Sequence, residues 1–432
     1  MGLSDFRSKE FLAVLAAGFL LRAGFVVFFE HTPVSDEADY LRLAVNLSET
    51  GTYVIAGNPT AFRPVGYPAF LSVIASAAGS SITAIRIVQI VLDLSLLAGL
   101  FLLGNRYGER KGILAAFLWA VFPPAILYPG LIVTETLSTF LLVWLFVLLL
   151  NHERLSHPVA PVLAGIMGGM LALVKPWTLP FVIVVIPLFL AKRAKAKTII
   201  LFTGVALFLT VPWMARNYIK MGMFSLSTNT GINLFVGNNP GTTGAYKASF
   251  PDELINVLDD ERAFDKKARD LAIQFIAENP ARFLFNAGVK TANLFRTEGE
   301  LLIWTFHPNL QDPSTGFAEK YRSVPLVTTV VVNAGYAVVL VLGLFGLVRF
   351  WRDDFLLLFA LFTGLLVAIH AVFFGGSRYH FLLMPFLAVC SANVLPSLHK
   401  EWLRLAVSRR ILLTIATALL LTLWVYELLY IF

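Results

Sequence analysis

The chain has 432 residues, of which 57% are hydrophobic and only 14% are charged, and its mean hydropathy is +0.75. Soluble proteins carry about 25% charged residues, so this composition excludes an ordinary soluble domain and indicates a protein that crosses the membrane repeatedly. The net charge of +7 comes from short basic clusters between apolar stretches, a pattern typical of membrane topology signals and not of nucleic-acid binding.

Apolar stretches long enough to cross a bilayer, which takes roughly 20 residues or somewhat fewer, recur along the chain. We predict eleven such spans, at 11–29, 82–104, 112–129, 133–150, 159–174, 178–191, 198–213, 326–348, 355–374, 379–396 and 411–431. The span at 178–191 is the weakest, because prolines bracket a short stretch. The apolar stretch 68–80 is too short to span and predicts an interfacial helix.

Lysine and arginine residues concentrate at alternate span ends, which predicts a cytoplasmic N-terminus and an external C-terminus. Two larger segments then face outside. We therefore predict an all-α polytopic membrane protein with a transmembrane module at 1–213, whose first outer loop at 30–81 carries the function. A small outer, α-rich domain at 214–325 and C-terminal transmembrane helices at 326–432 follow.

The first outer loop carries an acidic pair, Asp36-Glu37, a few residues beyond the first span, with Asp39 close behind. Ser35 is the predicted N-cap of an amphipathic helix in which these residues form the first turn. Acidic residues there complement the helix dipole, so a structural role stays open. However, carboxylates and an arginine, Arg63, at the mouth of a membrane bundle are costly to desolvate and indicate a reaction site or an ion path.

Much of the larger outer segment, 214–325, is predicted to be polar loop, with two helices. Ala268 to Ala277 is helical in pattern, and Asn279 and Pro280 predict the start of a second helix. The sequence Asn238-Asn239-Pro240-Gly241 predicts a turn.

Several short motifs share the predicted outer face and occur in a characteristic order. They are Asp36-Glu37, Arg63-Pro64-Val65-Gly66-Tyr67-Pro68, Thr134-Glu135, Val174-Lys175-Pro176, Pro212-Trp213-Met214-Ala215-Arg216-Asn217-Tyr218 and Ser377-Arg378-Tyr379. In this order they resemble the GT-C glycosyltransferases, in particular the protein O-mannosyltransferase and aminoarabinose transferase branch, the family-39-like group. The resemblance covers nearly the whole chain. An inserted β-trefoil domain is not evident, which favours a bacterial-type member and leaves a protein acceptor open.

The resemblance implies a GT-C bundle in a bacterial inner (plasma) membrane, with a polyprenyl-phosphate-linked sugar as donor and transfer on the periplasmic or extracellular face. The acceptor would be a hydroxyl or amine of an envelope glycan, a lipid or a protein. By match to the family's first outer loop, Asp36 is the general base of an inverting transfer. Glu37 is its neighbour in the site or a metal ligand.

The leaving phosphate of such a reaction needs fixed cations, and arginine suits bidentate contact with it. The predicted donor-binding residues are Arg63, Tyr67, Lys175, Arg216, Arg378 and Tyr379. Each cation could instead be a snorkelling interfacial side chain, and each tyrosine an ordinary residue of the membrane interface. Glu135 and Asp39 are further site candidates, Glu135 also being a helix-dipole partner.

The sequence predicts no firm cofactor. Histidine residues lack ligand spacing, so a divalent cation, if one binds, would be held by Asp36 and Glu37. A nucleotide-binding glycine-rich loop is not evident, which argues against a nucleotide-sugar donor.

Two other functions remain open at this point. A secondary transporter or lipid flippase would place charges near the middle of the membrane, where Arg22 and Asp93 are the candidates. A receptor or assembly subunit would lack catalysis. Replacement of Asp36 by Asn discriminates an enzyme from a transporter, because it should abolish transfer by an enzyme and leave such a transporter little affected.

Overall fold

The computed structural model describes residues 8–150, 159–187, 195–246, 250–307, 315–350 and 353–431. Within these ranges the only strands are β1 (Val54–Ile55) and β2 (Asn58–Pro59), which pair antiparallel in the first outer loop. Almost everything else is helix, so the predicted all-α class is confirmed.

The first half of the chain contains long membrane helices and short helices between them. In chain order these are α1 (Lys9–Phe28), α2 (Asp36–Thr50), α3 (Gly66–Ala78), α4 (Ile82–Asn105), α5 (Glu109–Ala120), α6 (Pro123–Leu127), α7 (Glu135–Leu150), α8 (Val159–Val174) and α9 (Leu179–Val184). Short 3-10 helices, Tyr128–Gly130 and Pro176–Thr178, precede α7 and α9. The predicted interfacial helix is α3. In the weak span predicted at 178–191, α9 ends at Val184, and residues 188–191 lie outside the described part.

The second half contains segment 214–325, which was predicted to be an outer domain and keeps that name below, and the last membrane helices. In chain order these are α10 (Ala196–Met221), α11 (Thr230–Gly237), α12 (Asp252–Ile255), α13 (Glu261–Glu278), α14 (Pro280–Leu294), α15 (Gly299–Phe306), α16 (Phe317–Arg322), α17 (Leu326–Phe350), α18 (Asp354–Val372), α19 (Met384–Val394), α20 (Leu398–Leu403) and α21 (Val407–Ile431). The 3-10 helices Ser377–Leu383 and Leu395–Ser397 flank α19. As predicted, α14 begins at Pro280.

The part of the chain that the structure describes accounts for seven or eight of the eleven predicted membrane crossings. Seven of the described helices are long and apolar enough to cross a membrane, and the pair α5 and α6, bent by 63°, makes an eighth if it forms one span. Helices α7 and α8 occupy two further predicted spans, and the structure describes 16 residues of each, about 24 Å of helix at 1.5 Å per residue, against a bilayer core of about 30 Å. Residues 151–158, which follow α7 and precede α8, lie outside the described part.

Inside the bundle, Arg22 of α1 forms an ion pair with Asp93 of α4, and both side chains are almost completely buried. The remaining nitrogens of the Arg22 guanidinium donate to backbone carbonyls of Gly18, Trp119 and Ala120. The second oxygen of Asp93 accepts a hydrogen bond from the Trp119 indole. This pair therefore joins α1, α4 and α5.

The first outer loop is held by contacts to both membrane and outer helices. Helix α2 packs its apolar face on α3, with the Tyr40 and Tyr67 rings in edge contact at 5.1 Å, so protein covers a face that the sequence suggested for the membrane surface. Ser35 is the N-cap residue of α2, as predicted, but it has φ 51° and its side chain makes no capping hydrogen bond. At the other end, Glu261 of α13 accepts hydrogen bonds from Thr60 and from the backbone of Ala61.

The outer domain has a small apolar core of its own. Its buried members are Ile232, Phe235, Val236, Leu254, Phe264, Ala268, Ala272 and Phe374. Phe374 comes from the segment that joins α18 to the 3-10 helix Ser377–Leu383. This one side chain therefore links the outer domain to the membrane helices next to Arg378.

Candidate active site

Asp36 lies between two arginine side chains at the first turn of α2. Its Oδ1 is 2.7 Å from Nη2 of Arg63, and its Oδ2 is 3.3 Å from Nη1 of Arg378. Burial by itself would raise the pKa of Asp36, but the charges of Arg378 and Arg63 outweigh it and hold the pKa below its ordinary value. The carboxylate is therefore ionised, and 15% of its side chain stays exposed.

The two arginines differ in the number of carboxylates that their guanidinium groups contact. Arg63 contacts a second carboxylate, because its Nε and Nη2 donate to Oδ2 of Asp39 at 3.1 and 2.9 Å. Arg378 pairs with Asp36 alone among the carboxylate side chains of the described residues, and its Nη2 makes only a long 3.4 Å contact to the Tyr379 hydroxyl. With 33% of its side chain exposed, Arg378 is the cation better placed to bind a ligand.

A second charged pair lies beside the first. Nζ of Lys175, at the end of α8, is 3.2 Å from Oε1 of Glu135 and 2.9 Å from the Thr134 hydroxyl. The same ammonium group stands over the Tyr379 ring, 5.8 Å from its centroid. Burial lowers the pKa of Lys175, and the Glu135 charge opposes this shift.

A narrow recess on the other side of Arg378 brings in residues of α15. Glu300 accepts a hydrogen bond from the backbone N–H of Arg378 at 3.3 Å, and burial raises the pKa of Glu300 against the opposing charge of Arg378. The recess is lined by Tyr128, Leu131, Val133, Glu135, Glu300, Leu301, Trp304 and Arg378. It adds a carboxylate and aromatic rings to the charged cluster.

Glu37 lies beside the site and not in it. Its side chain is fully buried, with Oε2 2.6 Å from Nε2 of His31 and Oε1 accepting a hydrogen bond from the backbone of Ile132 at 2.8 Å. Both oxygens are thus bound within the protein, and Glu37 fixes the chain that enters α2. Among the described residues, no group of three or more histidine, cysteine or acidic side chains is arranged to hold a metal ion.

Two of the predicted donor-binding residues also lie away from Asp36. Tyr67 is fully buried, and its hydroxyl donates to Gln89 at 2.9 Å. Arg216 donates to the backbone carbonyls of Thr60 and Tyr53 at 2.7 and 2.9 Å, so it supports the first outer loop from α10. The structure therefore brings together Arg63, Lys175, Arg378 and Tyr379 of that set, with Asp39 and Glu135 in contact with them.

Sequence reasoning missed the contribution of α15 and of Glu261. The available signal was a carboxylate, Glu300, that opens an otherwise apolar eight-residue helix in a segment read mainly as polar loop. Trp304, one turn later on the same helix, lines the same recess. A charge at the start of such a helix gives no indication of which partner it meets.

Comparison with known proteins gives a family match and a fold match. Residues 63–215, less than half of the chain, match the family model described as dolichyl-phosphate-mannose-protein mannosyltransferase. No curated protein matches the chain significantly.

Three solved structures illustrate the fold match. The apo oligosaccharyltransferase of Archaeoglobus fulgidus matches with a TM-score of 0.51 and 15% identity, over 98% of this chain and 55% of that one. AglB of the same organism, in complex with an inhibitory peptide and a dolichol-phosphate, gives 0.51 and 15% over 96% and 56%. ArnT of Cupriavidus metallidurans, bound to undecaprenyl phosphate, gives 0.45 and 12% over 90% and 78%. The chain thus spans about half the length of the oligosaccharyltransferases.

Fold and site together define an all-α, multi-span membrane protein with a charged cluster in which residues of segment 30–81 meet residues of α7, the end of α8 and the 3-10 helix Ser377–Leu383. Its architecture is the GT-C fold, and the predicted resemblance to GT-C glycosyltransferases is confirmed. The family match begins at Arg63 and includes Glu135 and Lys175, three residues of the cluster.

Proposed function

We propose that the protein is a membrane glycosyltransferase that moves a sugar from a polyprenyl-phosphate carrier to a hydroxyl or amine of an envelope glycan, lipid or protein. The observation that carries this proposal is the Asp36 carboxylate, which forms one ion pair with Arg63 and a second with the partly exposed Arg378. Displacement at a sugar phosphate needs a base for the attacking group and cations for the leaving group. The mannosyltransferase family model and the dolichol-phosphate complex of AglB support a lipid-phosphate donor.

In the proposed reaction, Asp36 acts as general base. The acceptor oxygen attacks the anomeric carbon of the sugar, and its proton passes to the Asp36 carboxylate. The bond from the anomeric carbon to the phosphate oxygen breaks, and its electron pair leaves with the polyprenyl phosphate. A single displacement inverts the anomeric centre and needs one carboxylate on the side of attack, unlike the paired carboxylates of hydrolases.

Arg378 is the proposed link between donor binding and the strength of the base. An arriving phosphate competes with Asp36 for this guanidinium, because both are anions and Arg378 has an exposed edge. Loss of the Arg378 contact would raise the pKa of Asp36 towards its ordinary value and make the carboxylate a better proton acceptor. The base would then be strongest when the donor is in place.

Lys175 and Tyr379 complete the proposed phosphate site. The ammonium of Lys175 lies over the Tyr379 ring, and the Tyr379 hydroxyl is the neighbour of Arg378. A bound phosphate would favour the charged form of Lys175 and so offset the effect of its burial on the pKa. Glu135 holds this ammonium in position from α7. Other divisions of labour remain within the same cluster, and a divalent cation is not required by this scheme.

We place the reaction on the outer face of a bacterial inner membrane, with the N-terminus in the cytoplasm, the first outer loop carrying the base and segment 214–325 as the outer domain. The alternative, a transporter or flippase, is less well supported. The mid-membrane candidates Arg22 and Asp93 neutralise each other, and Arg22 also donates to backbone carbonyls while Asp93 accepts from the Trp119 indole.

The test is a transfer assay with purified protein and with right-side-out vesicles. Donors are undecaprenyl-phosphate-linked mannose and aminoarabinose; acceptors are octyl glucoside, lipid A and a serine-containing peptide, with and without EDTA. We expect transfer to an acceptor supplied outside, and loss of transfer in Asp36→Asn. Absence of transfer from every donor, with the protein still folded and binding undecaprenyl phosphate, would contradict the proposed function.

A further inference from the structure

An exposed aromatic side chain, Tyr246, is linked by ring contacts to Tyr379 of the charged cluster. More than half of the side chain, 56%, is open to solvent, although its ring packs against Phe374 at 5.4 Å. Phe374 in turn contacts the ring of Tyr379 at 5.9 Å. A row of three aromatic rings thus runs from the solvent to the neighbour of Arg378.

The Tyr246 hydroxyl lies within electrostatic reach of the proposed base. Burial raises the pKa of this hydroxyl, the Asp36 charge raises it further, and the charges of Arg63 and Arg378 oppose the shift. These are the three residues that form the centre of the cluster. Tyr246 therefore lies close enough to the cluster for these charges to act on its hydroxyl.

The loop that carries Tyr246, residues 238–246, is fixed by its own hydrogen bonds and is called the rim loop below. The Thr242 hydroxyl donates to the carbonyl of Val236 at 3.0 Å and accepts from the backbone of Gly244 at 3.1 Å. Gly244, at φ 78°, accepts a hydrogen bond from the backbone of Gly375 at 2.9 Å. This last bond joins the rim loop directly to the segment that leads to Arg378.

A buried lysine anchors the start of the rim loop. Nζ of Lys290 donates to Oδ1 of Asn238 at 2.8 Å and to the carbonyl of Val372, the last residue of α18, at 2.9 Å. The side-chain amide of Asn238 donates to the same carbonyl. A cation at a helix C-terminus is favourable, so Lys290 binds the end of α18 and the rim loop in one contact. The predicted turn at Asn238-Asn239-Pro240-Gly241 is present, and Asn238 also connects it to Lys290 and to the end of α18.

We infer that Tyr246 contacts the acceptor substrate and helps to set acceptor specificity, an inference that rests on the proposed function. The cations that suit the donor phosphate, Arg378 and Lys175, have side chains that are 33% and 8% exposed, whereas Tyr246 is 56% exposed and Asp36 15%. An acceptor that arrives from the solvent would therefore meet the Tyr246 ring before the base. The ring supplies apolar contact and the hydroxyl a hydrogen bond, a combination that tyrosine offers at binding surfaces.

The experiment compares Tyr246→Ala and Tyr246→Phe with wild type in the transfer assay, using the most active donor and acceptor of the panel and varying each in turn. Tyr430→Ala is the control, because Tyr430 is also exposed, at 73%, but lies near the end of α21. We expect Tyr246→Ala to raise the acceptor KM about tenfold, the size typical of a substantial contact, and Tyr246→Phe to have a smaller effect. The donor KM and the affinity for undecaprenyl phosphate should stay unchanged.

The readouts separate failure of this inference from failure of the proposed function. An active wild type with an unchanged acceptor KM in Tyr246→Ala would overturn the inference alone. So would a change confined to the donor KM or to undecaprenyl phosphate binding, which would assign Tyr246 to the donor. No transfer by wild type would contradict the proposed function and this inference with it. Unchanged undecaprenyl phosphate binding also shows that the Ala variant is folded.

Discussion

The Arg22–Asp93 pair inside the bundle and the Asp36 cluster at its outer side consist of the same kinds of side chain but differ in what remains free. In the inner pair, the guanidinium donates to three backbone carbonyls as well as to Asp93, and both residues are at most 2% exposed. In the outer cluster, Arg378 is one-third exposed and its contact to Asp36 is 3.3 Å long. Charge in a membrane protein thus indicates function only where a ligand can still compete for it.

The largest expected effect on stability comes from breaking the inner pair. Asp93→Leu leaves the Arg22 charge buried without its partner, which typically costs about 3–5 kcal/mol of unfolding free energy. Thermal unfolding in detergent should therefore occur at a markedly lower temperature. The double variant Arg22→Met with Asp93→Leu should recover most of the loss, since it removes both charges. If Asp93→Leu kept its stability but lost transfer, the inner pair would have a functional role that this comparison denies.

The next effect concerns the guanidinium that remains partly free. Arg378→Gln removes charged hydrogen bonds worth about 1.5–3 kcal/mol to a phosphate, so undecaprenyl phosphate should bind about ten- to a hundredfold more weakly. Arg216→Gln is the matched control, because Arg216 binds the first outer loop through backbone carbonyls. It should lower thermal stability and leave that affinity nearly unchanged. Equal losses of affinity in both variants would show that the two arginines do not differ in this way.

The smallest effect is a pH shift that depends on the donor. Asp36 must be ionised to accept a proton, and its pKa in the free protein lies below the ordinary value, so kcat/KM should not fall from this cause until the pH drops below about 4. In the donor complex the phosphate takes Arg378, the Asp36 pKa rises, and the acid limb of kcat should lie at higher pH. An acid limb of kcat at or below that of kcat/KM would contradict the competition.

The same pKa shift determines how this carboxylate affects stability. A carboxyl whose folded pKa is depressed stabilises the fold above its unfolded pKa and loses that contribution as the pH falls through the folded value. The contribution of Asp36 should therefore persist at neutral pH and disappear only in strong acid.

Much of the fold could be predicted from local signals. The apolar runs of α1 and α4, the acidic first turn of α2 and Pro280 at the start of α14 are properties of neighbouring residues. Whether α7 crosses the membrane could not be predicted from its apolar residues, because most of them are buried against protein. The protein interior, and not lipid alone, can surround such a helix.

The sequence indicated several residues of the site, but it did not show which of them contact each other. The order of motifs indicated Asp36, Arg63, Lys175 and Arg378, yet Arg378 lies 342 positions from Asp36, so no local pattern shows that they meet. Adjacent residues of a helix point in different directions, and the sequence does not tell which of Asp36 and Glu37 faces the cluster.

Motif residues can also serve the scaffold. Tyr67 and Arg216 stand in the motifs that carry the family resemblance, but their polar groups bind Gln89 and loop carbonyls. Glu300 reaches the cluster from a helix whose neighbours gave no functional signal. Residue type and position along the chain do not determine which partner a polar group finds.

The most direct test of the account is single-turnover transfer by Asp36→Asn with the donor already bound. Asn keeps the shape of the side chain but cannot accept the proton, and it leaves Arg378 free for the phosphate. We predict that the variant binds the lipid-linked donor at least as tightly as wild type and transfers the sugar about a hundred- to ten-thousandfold more slowly, the range typical of a general base. Transfer at the wild-type rate from a bound donor would show that Asp36 is not the base.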